Sequence, residues 1–269
     1  MTRRTRLAPT PSGYLHPGNC VNFLLVQERA QRIGAQIVLR IDDLDFVRSR
    51  PEYVEDIFRT LEWLGITWDI GPQSVHEFHT RYSMALRHEY YRERFAQMSR
   101  MGLPIFACCC SRAELQAHDS VRCVRGCAQS TARAGADERA MRLQTPQGGL
   151  VSVGGQTIDL GRVHGDVVMW RRDDLPSYHL ANVIEDHDLG ITDIVRGIDL
   201  LESSALHIWL AQAAGLSGVR ADSYVHHELV TGVSGEKLSK SQGQASPLEH
   251  SSANRRWIHQ LARGLAQNP

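Results

Sequence analysis

Apolar positions along the chain fall into short runs divided by polar turns, and the spacing within each run predicts its element. Arg6-Leu7-Ala8 belongs to a brief apolar strand that ends in a Pro/Gly turn. Residues 21–33 then have helical character, with Gly18 and Asn19 at the helix start. Residues 36–41 read as a buried strand with β-branched Val38 and Ile41, Arg40 reaching outward. In 52–64 the apolar residues Val54, Ile57, Phe58, Leu61 and Leu64 fall near helical spacing, and Gly65 supplies the stop. Residues 81–101 predict a long amphipathic helix, 167–170 and 193–196 two strands, and 203–214 another helix. Alternating strand and helix predict an α/β fold, a parallel sheet flanked by helices. Such a sheet places ligands beyond the carboxyl ends of its strands. Residues 10–19, 42–45 and 196–199 each follow a predicted strand and so converge on that edge. The polar stretches 108–127 and 130–165 interrupt the alternation. They predict an inserted subdomain over 105–160, between domain halves at 1–104 and 161–230, with a glycine-flanked loop and a helix in 231–269.

Charge changes this picture little. Thirty basic and thirty acidic residues in 269 give zero net charge, so no global basic field draws in nucleic acid. Arg3/Arg4/Arg6, Arg171/Arg172 and Arg255/Arg256 read first as solvated faces, and one such patch still suffices to hold an RNA. The arginine-rich start leads into a loop rather than an apolar signal segment, and no run reaches the ~20 apolar residues of a membrane span. The expectation is a cytoplasmic monomer without membrane contact, in a compartment that keeps thiols reduced.

Cysteine usage matters more. Five of six cysteines crowd into one segment, as Cys108, Cys109, Cys110, Cys123 and Cys127. Cys108-x-Cys110 and Cys123-x3-Cys127 have the spacing of a tetrahedral zinc–thiolate site, and four thiolates leave no open position, so the zinc would be structural. Free buried thiols are the alternative, but Arg112, Asp119, Arg122 and Arg125 make this stretch too polar for a core. Cys109 competes with its neighbours for the metal, whereas Cys20 reads as a packing residue on the first helix.

Lysine is nearly absent. Lys237 and Lys240 are the only two, in Gly235-Glu236-Lys237-Leu238-Ser239-Lys240-Ser241, and the other 28 of the 30 basic side chains are arginine. A pair spared from that drift suits a compact, mobile ammonium that follows changing phosphate charge. At the other end, His16 precedes a helix start whose exposed N–H groups favour an anion such as a nucleotide phosphate, though a lone histidine there also fits a plain turn.

Taken together these segments resemble the class I aminoacyl-tRNA synthetases. His16-Pro17-Gly18-Asn19 looks like their HIGH signature, and 237–241 like their KMSKS loop. Arg6-x-Ala8-Pro9-Thr10-Pro11-Ser12-Gly13-x-Leu15-His16, Leu39-Arg40-Ile41-Asp42-Asp43-Leu44-Asp45, Tyr178-His179-Leu180-Ala181-Asn182 and Ile194-Val195-Arg196-Gly197 resemble the glutamyl-tRNA synthetase subfamily, over about residues 4–241. The resemblance implies a Rossmann-like catalytic domain that activates glutamate with ATP and Mg²⁺. His16, Gly18 and Asn19 with Lys237, Ser239 and Lys240 would handle the nucleotide. Arg6, Ala8, Thr10, Asp42, Tyr178, Asn182 and Arg196 would take the amino acid, Arg196 its side-chain carboxylate and Asp42 its ammonium group. With 28 residues after Ser241, 269 less 241, no large anticodon-binding domain is expected. That points to the family's short, glutamyl-queuosine members, which activate glutamate without tRNA and esterify the queuosine base of tRNA(Asp).

The short members also carry a Cys-x-Cys pair and a Tyr-x3-Cys pair, with Cys123 here in the tyrosine's place. Another departure is Asp42, where the family usually has glutamate. The shorter side chain must lengthen its ammonium contact, recruit a water or accept a shifted substrate. A related acidic amino acid, a different acceptor (small molecule, protein or other RNA) or a silent RNA-binding paralogue therefore stay open. Asp43 reads as part of a solvated acidic loop, and a Mg²⁺ site among Asp42, Asp43 and Asp45 is the competing reading.

Overall fold

The structure is a computed structural model that describes residues 2–45, 48–129, 139–230 and 246–266. In chain order its strands and α-helices are β1 (Arg4–Leu7), α1 (Pro17–Ile33), β2 (Gln36–Leu39), α2 (Pro51–Leu64), α3 (Val75–Glu77), α4 (His88–Arg100), β3 (Ile105–Cys108), α5 (Arg112–Ala117) and β4 (Ala140–Gln144). They continue with β5 (Leu150–Val153), β6 (Gln156–Asp159), α6 (Leu160–Val163), β7 (Asp166–Trp170), α7 (Tyr178–Asp188), β8 (Ile194–Gly197), α8 (Leu201–Ala213), β9 (Tyr224–His227) and α9 (Ser252–Ala266). Two compact units result: Met1–Arg87 with Leu189–Leu201 and Asp222–Pro269, and His88–Asp188 with Glu202–Ala221.

The first unit carries the parallel strands. β1 pairs with β2, Arg4 opposite Gln36 through Leu7 opposite Leu39, and β8 pairs with β9, Ile194 opposite Tyr224 through Gly197 opposite His227. The amides of Thr192 and Asp193 both donate to the Arg4 carbonyl, at 2.9 and 3.0 Å, which sets the start of β8 beside the start of β1. Beyond β2, Val38 bridges Ile70 in parallel. The order Ile70, β2, β1, β8, β9 therefore reverses between β1 and β8, where open α/β sheets form their ligand crevice.

Packing explains the helices of this unit. α1 buries Cys20, Val21, Phe23, Leu24, Leu25 and Val26, more than half its circumference, so it lies inside the unit rather than on it. α2 buries Val54, Ile57, Leu61 and Leu64 on one face and stops at Gly65, whose φ of 75° is the left-handed cap that glycine adopts without a Cβ penalty. Ile258 and Ala262 of α9 join the same core. Asp193 anchors the start of β8 from below: it accepts from Arg3 at 2.5 and 3.0 Å, from Arg29 at 3.1 Å and from Thr192 at 2.9 Å.

Two expectations fail here. Residues 81–101 do not form one helix. A π-turn (Phe78–Tyr82) ends at Ser83, which is extended at ψ 131°, and a 3₁₀ turn (Met84–Arg87) precedes α4. The cause is Asp43, which accepts the Ser83 hydroxyl at 2.5 Å and the Met84 amide at 2.7 Å and so starts a new turn. Asp43 is accordingly buried, not part of a solvated loop.

In the second unit β3, β4 and β7 form one antiparallel sheet, Ile105 opposite Leu143 and Leu143 opposite Val167. Residues 167–170 are thus a strand as expected, but antiparallel to β4, whose Ala140 and Leu143 are buried although the surrounding stretch reads as polar. β5 and β6 make a hairpin. α7 was not legible as a helix because Leu180 to Ile184 are all buried, a continuous run without a 3.6-residue period. Tyr91 of α4 donates to Glu185 of α7 at 2.6 Å.

Candidate functional site

At the carboxyl end of β1 the chain passes through Ala8, Pro9 and Thr10 into the turn that opens α1. Segment 40–42 runs beside it: the Arg40 amide donates to Leu7 and the Asp42 amide to Pro9, at 2.9 and 2.8 Å. His16 caps α1 in extended conformation (φ −114°, ψ 165°), and Pro17 occupies the first helical position, where its missing N–H costs nothing. The Asn19 side chain accepts the His16 amide at 3.1 Å. No acidic residue of α1 itself lies in its first turn, which leaves the positive end of the helix dipole beside Gly18 suited to an anion.

Arg6 and Arg196 are buried on the neighbouring strands β1 and β8, each one residue before the strand's end. Arg196 stacks on the Tyr224 ring at 5.5 Å and stands opposite His226 in the β8–β9 register. Burial, and then the Arg196 charge, push His226 down to about 4. Gly197 follows, and a Cβ there would meet the Asp199 carboxylate at 2.6 Å, so that side chain would have to move aside.

Asp42 differs from its expected surroundings. Arg40, read as reaching outward, is buried and grips Asp42 with two parallel bonds, Nε–Oδ1 at 2.6 Å and Nη2–Oδ2 at 3.1 Å. The pairing with the β1 segment continues past Leu39 through Arg40 and Asp42, and residues two apart on such a chain share a face, so the guanidinium meets the carboxylate. Asp45 pairs instead with Arg48 at 2.7 Å. Among the described residues the three acids form no cluster with metal-ligand geometry. Lys237, Ser239 and Lys240 lie outside the described residues. In the second unit, Tyr178 is exposed and Asn182 buried, four residues apart on α7. Asp56, Arg40 and His226 went unnoticed as site neighbours, and for Asp56 a signal existed: a carboxylate among the core-facing positions of α2.

The four-cysteine set comes together in the second unit. The Sγ atoms of Cys108, Cys110, Cys123 and Cys127 all lie within 4.8 Å of one another. Zinc–sulfur bonds of ~2.3 Å in a tetrahedron call for sulfurs about 3.8 Å apart, so this donor set fits zinc. Cys108 and Cys110 come from the end of β3, where Ser111 and Glu114 form a capping box that turns the chain into α5. The Cys123 amide donates to Asp166 at 2.7 Å and Arg122 pairs with the same carboxylate at 3.3 Å, tying the second half of the loop to β7. Cys109 stands 3.6 Å from Cys127 but outside the group of four. Burial raises the Cys108 thiol to about 12. Burial also works against the Cys123 thiolate, yet hydrogen bonds from the Cys127 and Arg125 amides and from the Cys127 and Cys110 thiols together outweigh it and bring that thiol to about 7.

Comparison with known proteins matches this arrangement to a family. The family model described as tRNA synthetases class I (E and Q), catalytic domain, matches residues 2–257, and the chain belongs to that family of ATP-dependent ligases. It is 37% identical to a Glutamyl-Q tRNA(Asp) synthetase of Pseudomonas fluorescens, over 98% of this chain and 84% of that protein. It is 32% identical to Glutamate--tRNA ligase 1 of Acidithiobacillus ferrooxidans over 93% of this chain, but spans only 53% of that relative. A crystal structure of a glutamate tRNA ligase from Elizabethkingia meningosepticum in complex with its amino acid superposes with a TM-score of 0.72 at 25% identity, covering 92% of this chain and 54% of that one. The chain thus spans about half the length of the glutamate–tRNA ligases it matches.

Proposed function

We propose that the chain activates glutamate with ATP to glutamyl-adenylate without tRNA, and then transfers the glutamyl group to the queuosine base of tRNA(Asp). One observation carries the activation step: two buried guanidinium groups, Arg6 and Arg196, on neighbouring strands at the reversal of strand order, in the unit that also holds the helix start at His16. Guanidinium forks suit an acid with two carboxylates, and the helix start suits phosphate. The likeness to Glutamyl-Q tRNA(Asp) synthetases over most of both chains supports the choice of acceptor.

In this reading a carboxylate oxygen of glutamate attacks the α-phosphorus, the bond to the β-phosphate breaks, and pyrophosphate leaves. No side-chain nucleophile is required; alignment and charge stabilisation do the work. Arg196 holds the side-chain carboxylate and Arg6 assists carboxylate recognition, while His16 and the amides of α1 hold phosphate. Lys237 and Lys240 neutralise the departing pyrophosphate, and Ser239 contributes to the same loop. Mg²⁺ accompanies ATP on its phosphate oxygens and water. Ala8, Thr10, Tyr178 and Asn182 are assigned to amino-acid recognition on the family resemblance alone. Zinc, where bound by Cys108, Cys110, Cys123 and Cys127, is structural.

A second reading has its own observation. Both Asp42 oxygens are engaged by Arg40, so the ammonium group meets a carboxylate already largely neutralised, which favours a shifted or different acidic amino acid. ATP–pyrophosphate exchange without tRNA, run across the standard amino acids, separates the two. Exchange with glutamate alone supports the first reading; exchange with another acid makes Asp42 a specificity switch. No exchange until tRNA is added removes tRNA-free activation. Glutamylation of tRNA(Asp) with and without queuosine then tests the acceptor.

A further inference from the structure

We infer that Asp56 is a positioning residue for the His16 loop, one that sets the start of α1 for ATP; the inference rests on the ATP reading above. Asp56 sits in the middle of α2 and is 2% exposed. Its Oδ2 accepts the Leu15 amide at 2.9 Å, and its Oδ1 is buried without a hydrogen-bond partner. Burial raises its pKa, partly offset by the Leu15 amide and by the charges of His250 and Arg59. A buried carboxylate with one open oxygen is costly for the core around it. Asp56 thereby holds the residue immediately before His16, and the next amide, that of His16, is taken by Asn19. Two consecutive amides are therefore tied to two different helices, α2 and α1, at the point where the chain enters the helix start.

The rest of the α2 face supports this role. Tyr53, one turn before Asp56, packs edge-on against Tyr14 at 5.0 Å. One and two turns after it, Thr60 meets His250 at 3.2 Å and Trp63 stacks on the same imidazole at 4.6 Å. Positions 53, 56, 60 and 63 form one row on the helix. α2 thus holds Tyr14 and Leu15 at one end of this row and the segment leading into α9 at the other. The turn from Pro9 to Pro17 carries three prolines, at 9, 11 and 17, and so has few N–H groups by which it can be tied down; Asp56 accepts one of those that remain, that of Leu15.

The test uses Asp56→Asn, which keeps an acceptor of the same shape, and Asp56→Leu, which fills the space without one; Asp56→Ala substitutes should the leucine variant fail to fold. Amide exchange by mass spectrometry over residues 12–18 and ATP affinity by calorimetry are read beside melting temperature. The expected result for Asp56→Leu is a rise of about tenfold in exchange and a loss of about tenfold in ATP affinity, with the amino-acid KM unchanged. Asp56→Asn restores both to within about twofold and melts no lower than the parent, since it buries no charge. Unchanged exchange and affinity in Asp56→Leu, or an asparagine variant as impaired as the leucine one, overturns the role. Raised exchange with unaltered ATP affinity also overturns it, leaving Asp56 as a purely structural tie. A parent chain that binds no ATP refutes the ATP reading itself, an outcome distinct from any difference between variants.

Discussion

Arg196 and His226 face each other across the β8–β9 ladder, one permanently charged and the other held neutral. A histidine pushed from 6.5 to about 4 binds fewer protons folded than unfolded. Its contribution to stability is therefore complete above 6.5 and is lost as pH falls through that window. His226→Gln should flatten the dependence of melting temperature on pH between 6.5 and 4, and a slope equal to the parent's would refute the argument. Arg196→Ala should raise the glutamate KM roughly 100-fold while leaving the ATP KM nearly unchanged, because the loss is confined to one buried charge pair. Equal losses for both substrates would place Arg196 elsewhere in the reaction. The arginine was legible in the sequence because it ends an apolar strand before a glycine. Arg40 was misread because Ile37, Val38 and Leu39 are all buried, so this strand has no solvent face towards which an arginine could reach.

Helix α4 shows what a periodic pattern misses at the scale of elements. The amphipathic spacing continues upstream of His88, yet Asp43, forty residues earlier in the chain, captures Ser83 and Met84 and breaks the run. Asp43→Ala should cost about 1–3 kcal/mol in chemical denaturation, since it strands a buried hydroxyl and an amide together. The zinc segment is the opposite case. Its spacing predicted a four-thiolate site with Cys109 as a competitor, and the fold brings together Cys108, Cys110, Cys123 and Cys127 without it. Metal analysis should return about one zinc per chain. Cys110→Ser should lower that content and increase proteolysis within 105–129, whereas Cys109→Ser should leave the zinc content unchanged. A stable, zinc-free parent would remove the metal reading.

For the molecule as a whole, the activation reading predicts linkage between substrates and stability. Saturation with ATP at about 100 times its Kd should add about 2.7 kcal/mol to unfolding, and a glutamyl-adenylate analogue should add more. A melting temperature indifferent to both would argue for a silent paralogue. The sequence by itself determined the α/β class, the helix start near His16, Arg196 near the end of an apolar strand and a four-thiolate cysteine site, whereas Arg6, read as part of a solvated face, is buried. Each of the features so determined depends on local spacing, which a linear pattern records. Only the tertiary structure decided that β7 runs antiparallel in the second unit, that Arg40 turns inward to Asp42, that Asp43 breaks a helix and that Asp56 ties down Leu15. Most of these depend on partners remote in sequence, such as Met84 for Asp43 and Leu15 for Asp56, forty-one residues away in each case. A buried polar group takes whichever donor the fold brings within hydrogen-bond reach, and nothing in the local pattern around it specifies which that will be.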